Sequence, residues 1–300
     1  MSKVPTLVLA FNRADHVREA MKAVRIYKPE RLYLECDGPR LHKVGEKEAV
    51  EETRKAMLDA VDWPCEVKTL FRDNNLGCAN AVYGAISWFF EYEKWGVIIE
   101  DDVIVGQDFF RLCEDLLPRY EHEEKIMEIS AENHYPNPND ANKYFYTVDF
   151  KCWGWATWAR AWKRMDMKMA KWPNQSIFKL IRVFGIFKGC MMHYYWSSIY
   201  KNIEKSTSWA TRWAFAIFAE DGLCVIPGVN LAVNIGMDGG AHYNKDDVNP
   251  YSHLTVGNMS FPLKYNNVLE LDGKQQALSK KDFFRIRMIG LRKKLRRIGI

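Results

Sequence analysis

"GVIIEDDV", residues 96–103, decides how this chain is read. A short apolar run leads straight into three consecutive carboxylates, Glu100, Asp101 and Asp102. Packed carboxylates repel one another and destabilise the fold unless something positive sits among them. A buried strand delivering acids to a sheet edge suits a hard divalent cation, because Mg²⁺ and Mn²⁺ prefer carboxylate and water oxygens. The plain alternative is a solvated acidic turn after a strand.

The residues upstream repeat one pattern. "TLVLAF" reads as a buried strand, after which Asp15 is expected to cap a helix running to about Tyr27, with Val17, Ala20, Met21 and Val24 on one face. "RLYLECDG" is a second strand ending in a turn, followed by a helix over about 46–60. "CEVKTLF", the turn "RDNNLG" and a helix over about 79–92 lead back to the opening stretch. Strands alternating with helices predict a parallel sheet covered by helices. Such sheets bind ligands at the carboxyl ends of their strands. The polar clusters fall at those ends: Asn12 and Arg13, Asp37, Arg72 to Asn75, and Glu100 to Asp102.

The middle of the chain differs, with eight of the eleven tryptophans lying between Trp153 and Trp213. The stretch "PNQSIFKLIRVFGIFKGCMMHYYWSSIYKNI" reads as helical, and "LCVIPGVNLAVNIG" as two short strands around a turn. The 300 residues are 48% hydrophobic and 27% charged, the balance of a globular chain and not of a disordered one. Seven scattered cysteines without a C-x-x-C pair argue for reduced thiols and against a disulfide framework or zinc-thiolate site. The first residues make no signal peptide, and no stretch is long and apolar enough to span a bilayer; the expectation is a cytoplasmic protein. Net charge is +5, but residues 280–300 alone carry +8, leaving −3 for the other 279 residues.

Beyond the carboxylates, motifs follow in order: "EDDVIVGQDFF", "EISAENHY", "KCWGWATWARAW", "SWATRW", and "IPGVNLAVNIG" with "AH" shortly after. Over roughly residues 4–245 the chain resembles GT-A-fold, nucleotide-sugar-dependent glycosyltransferases, and specifically looks like bacterial relatives of N-acetylglucosaminyltransferase I. The resemblance implies a Rossmann-like nucleotide-sugar-binding half over about 1–110 and a mixed α/β acceptor half over about 111–280. It also implies roles. Asp102 would bind Mn²⁺ or Mg²⁺, joined by His242. Asp101 would accept a hydrogen bond from the ribose, and Glu100 from hydroxyls of the transferred sugar. Asp37 would accept the uracil N3–H of a UDP-sugar, Arg13 would lie near the donor phosphates, and Asn12 and Asn75 would border the donor. The family-suggested sugar is N-acetylglucosamine.

The match fails at one position. An inverting transfer needs a base to take the acceptor hydroxyl's proton. Relatives carry an Asp directly after the Trp of the "SW" segment, where this chain has Ala210. That leaves an altered, inactive chain, another base, or a chain that binds donor and transfers poorly. Candidate replacement bases are Asp238 in the "GMDGG" loop, Glu132 and Asp221.

Trp209 is the expected acceptor contact, because indole stacks on sugar faces. Gly154, between two tryptophans, marks a close backbone approach, read as one to the donor sugar. Most of the tryptophans are expected to be core.

In the tail, 281–300, Phe284, Met288, Leu291, Leu295 and Ile298 form an apolar stripe beside Arg292, Lys293, Arg296 and Arg297. A basic amphipathic helix of this kind suits an anionic membrane surface. Nucleic acid is disfavoured by the negative body. The expectation is therefore a peripheral enzyme at the inner face of a membrane, transferring a sugar from a UDP-sugar to a glycan or lipid-linked glycan. The alternatives are a non-catalytic nucleotide-sugar- or carbohydrate-binding protein, and a metal-dependent phosphohydrolase.

Overall fold

The computed structural model describes residues 3–236, 251 and 253–297, with side chains described as far as residue 288. The first half alternates: β1 (Thr6–Ala10), α1 (Ala14–Tyr27), β2 (Arg31–Cys36), α2 (Glu46–Asp59), β3 (Glu66–Phe71), α3 (Cys78–Tyr92) and β4 (Trp95–Glu100). After it come β5 (Val103–Val105), α4 (Gln107–Arg119), β6 (Ile126–Ser130), β7 (Tyr144–Thr147), β8 (Trp155–Trp158) and α5 (Ala159–Trp162). The chain closes with α6 (Ile177–Phe184), α7 (Ile186–Lys201), α8 (Trp209–Ala219), β9 (Leu223–Pro227), β10 (Ala232–Asn234) and α9 (Gly273–Arg297).

Eight strands form one sheet in the order β3-β2-β1-β4-β8-β6-β9-β7. The first four pair in parallel, and β8 runs antiparallel between β4 and β6. That returns β6 and β9 to the direction of the first four, with β7 antiparallel at the far edge. This is the expected α/β architecture, a GT-A-type Rossmann-like sheet. Chain order reverses between β1 and β4, so a crevice opens beyond their carboxyl ends. A separate two-stranded ribbon, β5 with β10, pairs Val103 with Asn234 and brings a late segment back to the carboxylates.

Local chemistry explains the elements. Val17, Ala20, Met21 and Val24 are all buried on α1, and Leu7, Val8 and Leu9 on β1 are enclosed from both faces. Asp15, expected as the cap, stands instead inside the first turn of α1 and pairs with Arg18 at 2.7 Å; Arg13 precedes the helix. The long helical stretch is two helices, broken at Gly185, whose φ of +78° is left-handed. The two short strands of "LCVIPGVNLAVNIG" sit in different sheets. The tail helix begins at Gly273, ahead of the charged segment, and its first turns pack on the body. All seven cysteines are unpaired.

Candidate functional site

The crevice edge gathers residues from β1, β2, β4, β6 and β8. Arg13 follows β1 and reaches across to the acids after β4, its Nη2 donating to Asp101 Oδ1 at 2.5 Å and to Asp102 Oδ2 at 2.9 Å. The positive group bonded directly to these carboxylates is Arg13, and His16 also acts on Asp101. One guanidinium faces three carboxyl groups, more than it can neutralise when all are ionised. Burial, followed by repulsion from Asp102 and Asp101, pushes the Glu100 carboxyl up to about 8. Burial likewise pushes Asp101 up to about 6, against the pull of Arg13. Arg13 itself loses solvation, yet its two partners hold it above its ordinary value.

Asp102 has a second support. Asn234 Nδ2 donates to its Oδ1 at 3.1 Å, and the Ile235 N–H donates to its backbone carbonyl at 2.8 Å. Gly236 closes the turn so tightly that a Cβ there would lie 2.1 Å from Asp102 Oδ2. Neither Asn234 nor Gly236 stood out in the sequence. The β5–β10 ribbon brings them in, and their place at the end of "LAVNIG" was the available signal.

The cluster fits a divalent cation by its chemistry: hard oxygens, excess negative charge, and in Asp102 a carboxylate that still reaches solvent. Among the described residues no three His, Cys, Asp or Glu side chains converge as a protein-only cage. A single carboxylate completed by phosphate oxygens is a usual way of holding Mg²⁺. His242 and Asp238 lie outside the described residues.

Asp37 is buried and occupied differently than expected. Its Oδ1 accepts from the N–H groups of Gly38 at 2.9 Å and Leu76 at 3.0 Å. Its Oδ2 accepts from Asn75 Nδ2 at 3.0 Å and from the N–H groups of Leu76 and Gly77, both at 3.2 Å. A carboxylate offers about four lone-pair sites, so these bonds use its capacity. In this structure Asp37 with Asn75 clamps the loop before α3. Asn12 Nδ2 donates to Glu46 Oε1 at 3.2 Å. Arg72 pairs with buried Glu35 of β2 and braces the strand end.

β8 runs antiparallel, so Trp153 and Gly154 at its start lie on the same edge. Gly154 has φ +71°, and a Cβ there would meet Val105 at 2.4 Å. Its close approach is thus to the protein, correcting the expectation of a donor contact. Trp209 is 3% exposed and stacks on Trp155 at 5.5 Å between ring centroids, part of a cluster with Trp162 and Trp213. It is core and presents no face to an acceptor. Trp153 is half-buried beside His134 and Tyr251 and lies at the edge.

The candidate bases separate by topology. Asp221 precedes β9, whose direction puts it at the amino edge, opposite the crevice, where it pairs with Lys179 at 3.0 Å. That removes it. Glu132 follows β6 at the crevice edge, bonded to His134 Nε2 and accepting from the Trp153 N–H at 3.3 Å. Burial opposes its charge, but His134, Lys151 and that N–H outweigh burial and hold it below its ordinary value. Burial raises the Cys152 thiol first of all, and the nearby Glu100, Glu132, Glu128 and Asp102 add to that rise. Ala210 lies in the first turn of α8, packed against the core, and brings no acid.

No protein-family model and no curated protein matches this sequence. Among solved structures, the chain is similar to mouse xyloside xylosyltransferase 1 in its apo form, at 10% identity and a TM-score of 0.36, covering 71% of this chain and 80% of that one. It is similar to a UDP-glucose pyrophosphorylase complexed with UDP-glucose, at 8% identity and a TM-score of 0.34, covering 74% and 90%. Against the glycosyltransferase GlyE of Streptococcus pneumoniae TIGR4 the values are 12% and 0.29, covering 58% of this chain and 41% of that one. With scores this low, the fold assignment rests on the strand order itself.

Proposed function

We propose that this chain is a metal-dependent glycosyltransferase that moves a sugar from a UDP-sugar to a glycan or glycolipid acceptor with inversion. The observation that carries the reading is the Glu100–Asp101–Asp102 cluster at the topological switch point, met by Arg13 from β1 and Asn234 from β10. In this reading Asp102 holds Mn²⁺ or Mg²⁺, which when bound neutralises charge on the departing diphosphate. Arg13 turns part of its charge to the phosphates, Asp101 takes the ribose hydroxyl and Glu100 a hydroxyl of the transferred sugar. Glu132, ionised and on the same edge, takes the acceptor proton in place of the acid that Ala210 lacks.

The test is calorimetric UDP binding with and without Mn²⁺, for the parent chain and Asp102→Ala. Binding that needs both the metal and Asp102 is expected. Binding unaffected by either, or none at all, ends the reading. Ala210 also favours a second reading, a donor-binding protein that does not transfer: it predicts metal-dependent UDP binding and no turnover, even after Ala210→Asp.

A further inference from the structure

α9 docks the wrong way round for an ordinary amphipathic helix. Among its described side chains, Gln275, Gln276 and Asp282 are buried. Gln276 donates to Thr147 Oγ1 at 3.1 Å, Ser279 donates to Asp149, and Lys188 donates to Ser279 Oγ at 2.8 Å. Asp282 Oδ2 accepts from the Tyr251 hydroxyl at 2.7 Å and the Tyr135 hydroxyl at 3.2 Å. At about 100° per residue, Phe284 sits on the side opposite this polar face, and it is 49% exposed. A surface helix normally buries its apolar stripe and turns its polar face outward. Here hydrogen bonds fix the polar face to the body, while Phe284 on the other side stays half exposed even where Phe187 touches its edge.

A second element meets it there. At the corner between α6 and α7, Ile186 is 74% and Phe187 is 44% exposed, and the Phe187 ring packs edge-on against Phe284 at 5.0 Å. Basic groups border these side chains. The Lys280 stem lies beside Gly185, and the Arg287 guanidinium sits 5.2 Å from the Phe283 ring. The α9 backbone continues through "IGLRKKLRR", and no acid follows Asp282 in the sequence. Apolar side chains from two rigidly joined elements, set among one sign of charge, match an anionic bilayer: rings enter the headgroup boundary while lysines and arginines stay at the phosphates.

We propose that Ile186, Phe187 and Phe284, with Lys280, Lys281 and Arg287, form a docking face for an anionic lipid surface, so that membrane contact is made by the α6–α7 corner together with α9 and not by the tail alone. The inference stands apart from the donor site, which UDP binding reports separately.

The test is vesicle flotation of the full chain, using phosphatidylcholine alone and with phosphatidylglycerol. The parent is expected to float with the anionic vesicles only. Ile186→Ser with Phe187→Ser is expected to weaken partitioning by roughly tenfold or more. Lys280→Glu with Lys281→Glu is expected to lose a similar factor that salt also removes from the parent. All four positions lie outside the core, and an unchanged melting temperature checks the fold. Partitioning unaltered in the Ile186/Phe187 variant, no preference for anionic vesicles, or tighter binding to duplex DNA than to them would each overturn the proposal.

Discussion

Arg13→Met tests the electrostatic account of the site without relying on catalysis. Methionine keeps the apolar bulk and removes the cation that contacts both Asp101 and Asp102. Removing one partner of a buried ion pair costs about 3–5 kcal/mol. Arg13 is 30% exposed, so solvent supplies part of the compensation, and a loss of about 2–3 kcal/mol is expected in metal-free buffer at pH 8. The second half of the experiment is the informative one. With the guanidinium gone, the surplus negative charge is larger, and Mn²⁺ should stabilise the variant more than the parent. At a hundred times its dissociation constant a ligand returns about 2.7 kcal/mol, close to the whole loss. Urea denaturation with chelator and with Mn²⁺ measures both quantities. A loss below about 1 kcal/mol, or equal response of parent and variant to Mn²⁺, would refute the reasoning that Arg13 balances a cation-seeking cluster.

Asp37→Asn keeps the shape but replaces one acceptor oxygen with an N–H group facing backbone donors; it should cost about 1–3 kcal/mol, with faster hydrogen exchange at the Leu76 and Gly77 amides as the diagnostic. Gly154→Ala forces a Cβ into Val105 at a left-handed φ and should destabilise by about 2–4 kcal/mol, read by thermal or urea melting. Asp149 gives a pH prediction: burial opposes its charge, but Lys188, Lys151 and the Ser279 hydroxyl hold its carboxyl at about 2, below the ordinary 3.8. A depressed folded value means the stabilisation is full above pH 3.8 and lost as pH falls toward 2, about 2 kcal/mol in all. Asp149→Asn should flatten that acid limb of the stability curve.

Much of this was legible from local pattern. Alternation of apolar runs with helix-period segments located β1 to β4 and α1 to α3, because both periods are properties of a few consecutive residues. The same logic set Arg13, Asp37 and Glu100 to Asp102 at strand ends, and the parallel sheet placed those ends on one edge; Glu132 joined them only through β6. What sequence could not supply was pairing. Asn234 reaches Asp102 across 132 positions, and only the β5–β10 ribbon makes them neighbours. Asp221 looked as suitable a base as Glu132 until the direction of β9 sent it to the opposite edge. Trp209 and Trp153 are chemically identical side chains. One became core and the other a crevice wall because of which element packed over each. The apolar stripe of α9 was written in the sequence, but the exposure of Phe284 was set by the partners of the polar face, Thr147, Asp149, Tyr135 and Tyr251. Residue chemistry and short-range periodicity are fixed by the chain itself. Which face is covered, and by what, depends on contacts between segments far apart in sequence, and those exist only once the sheet has chosen its order.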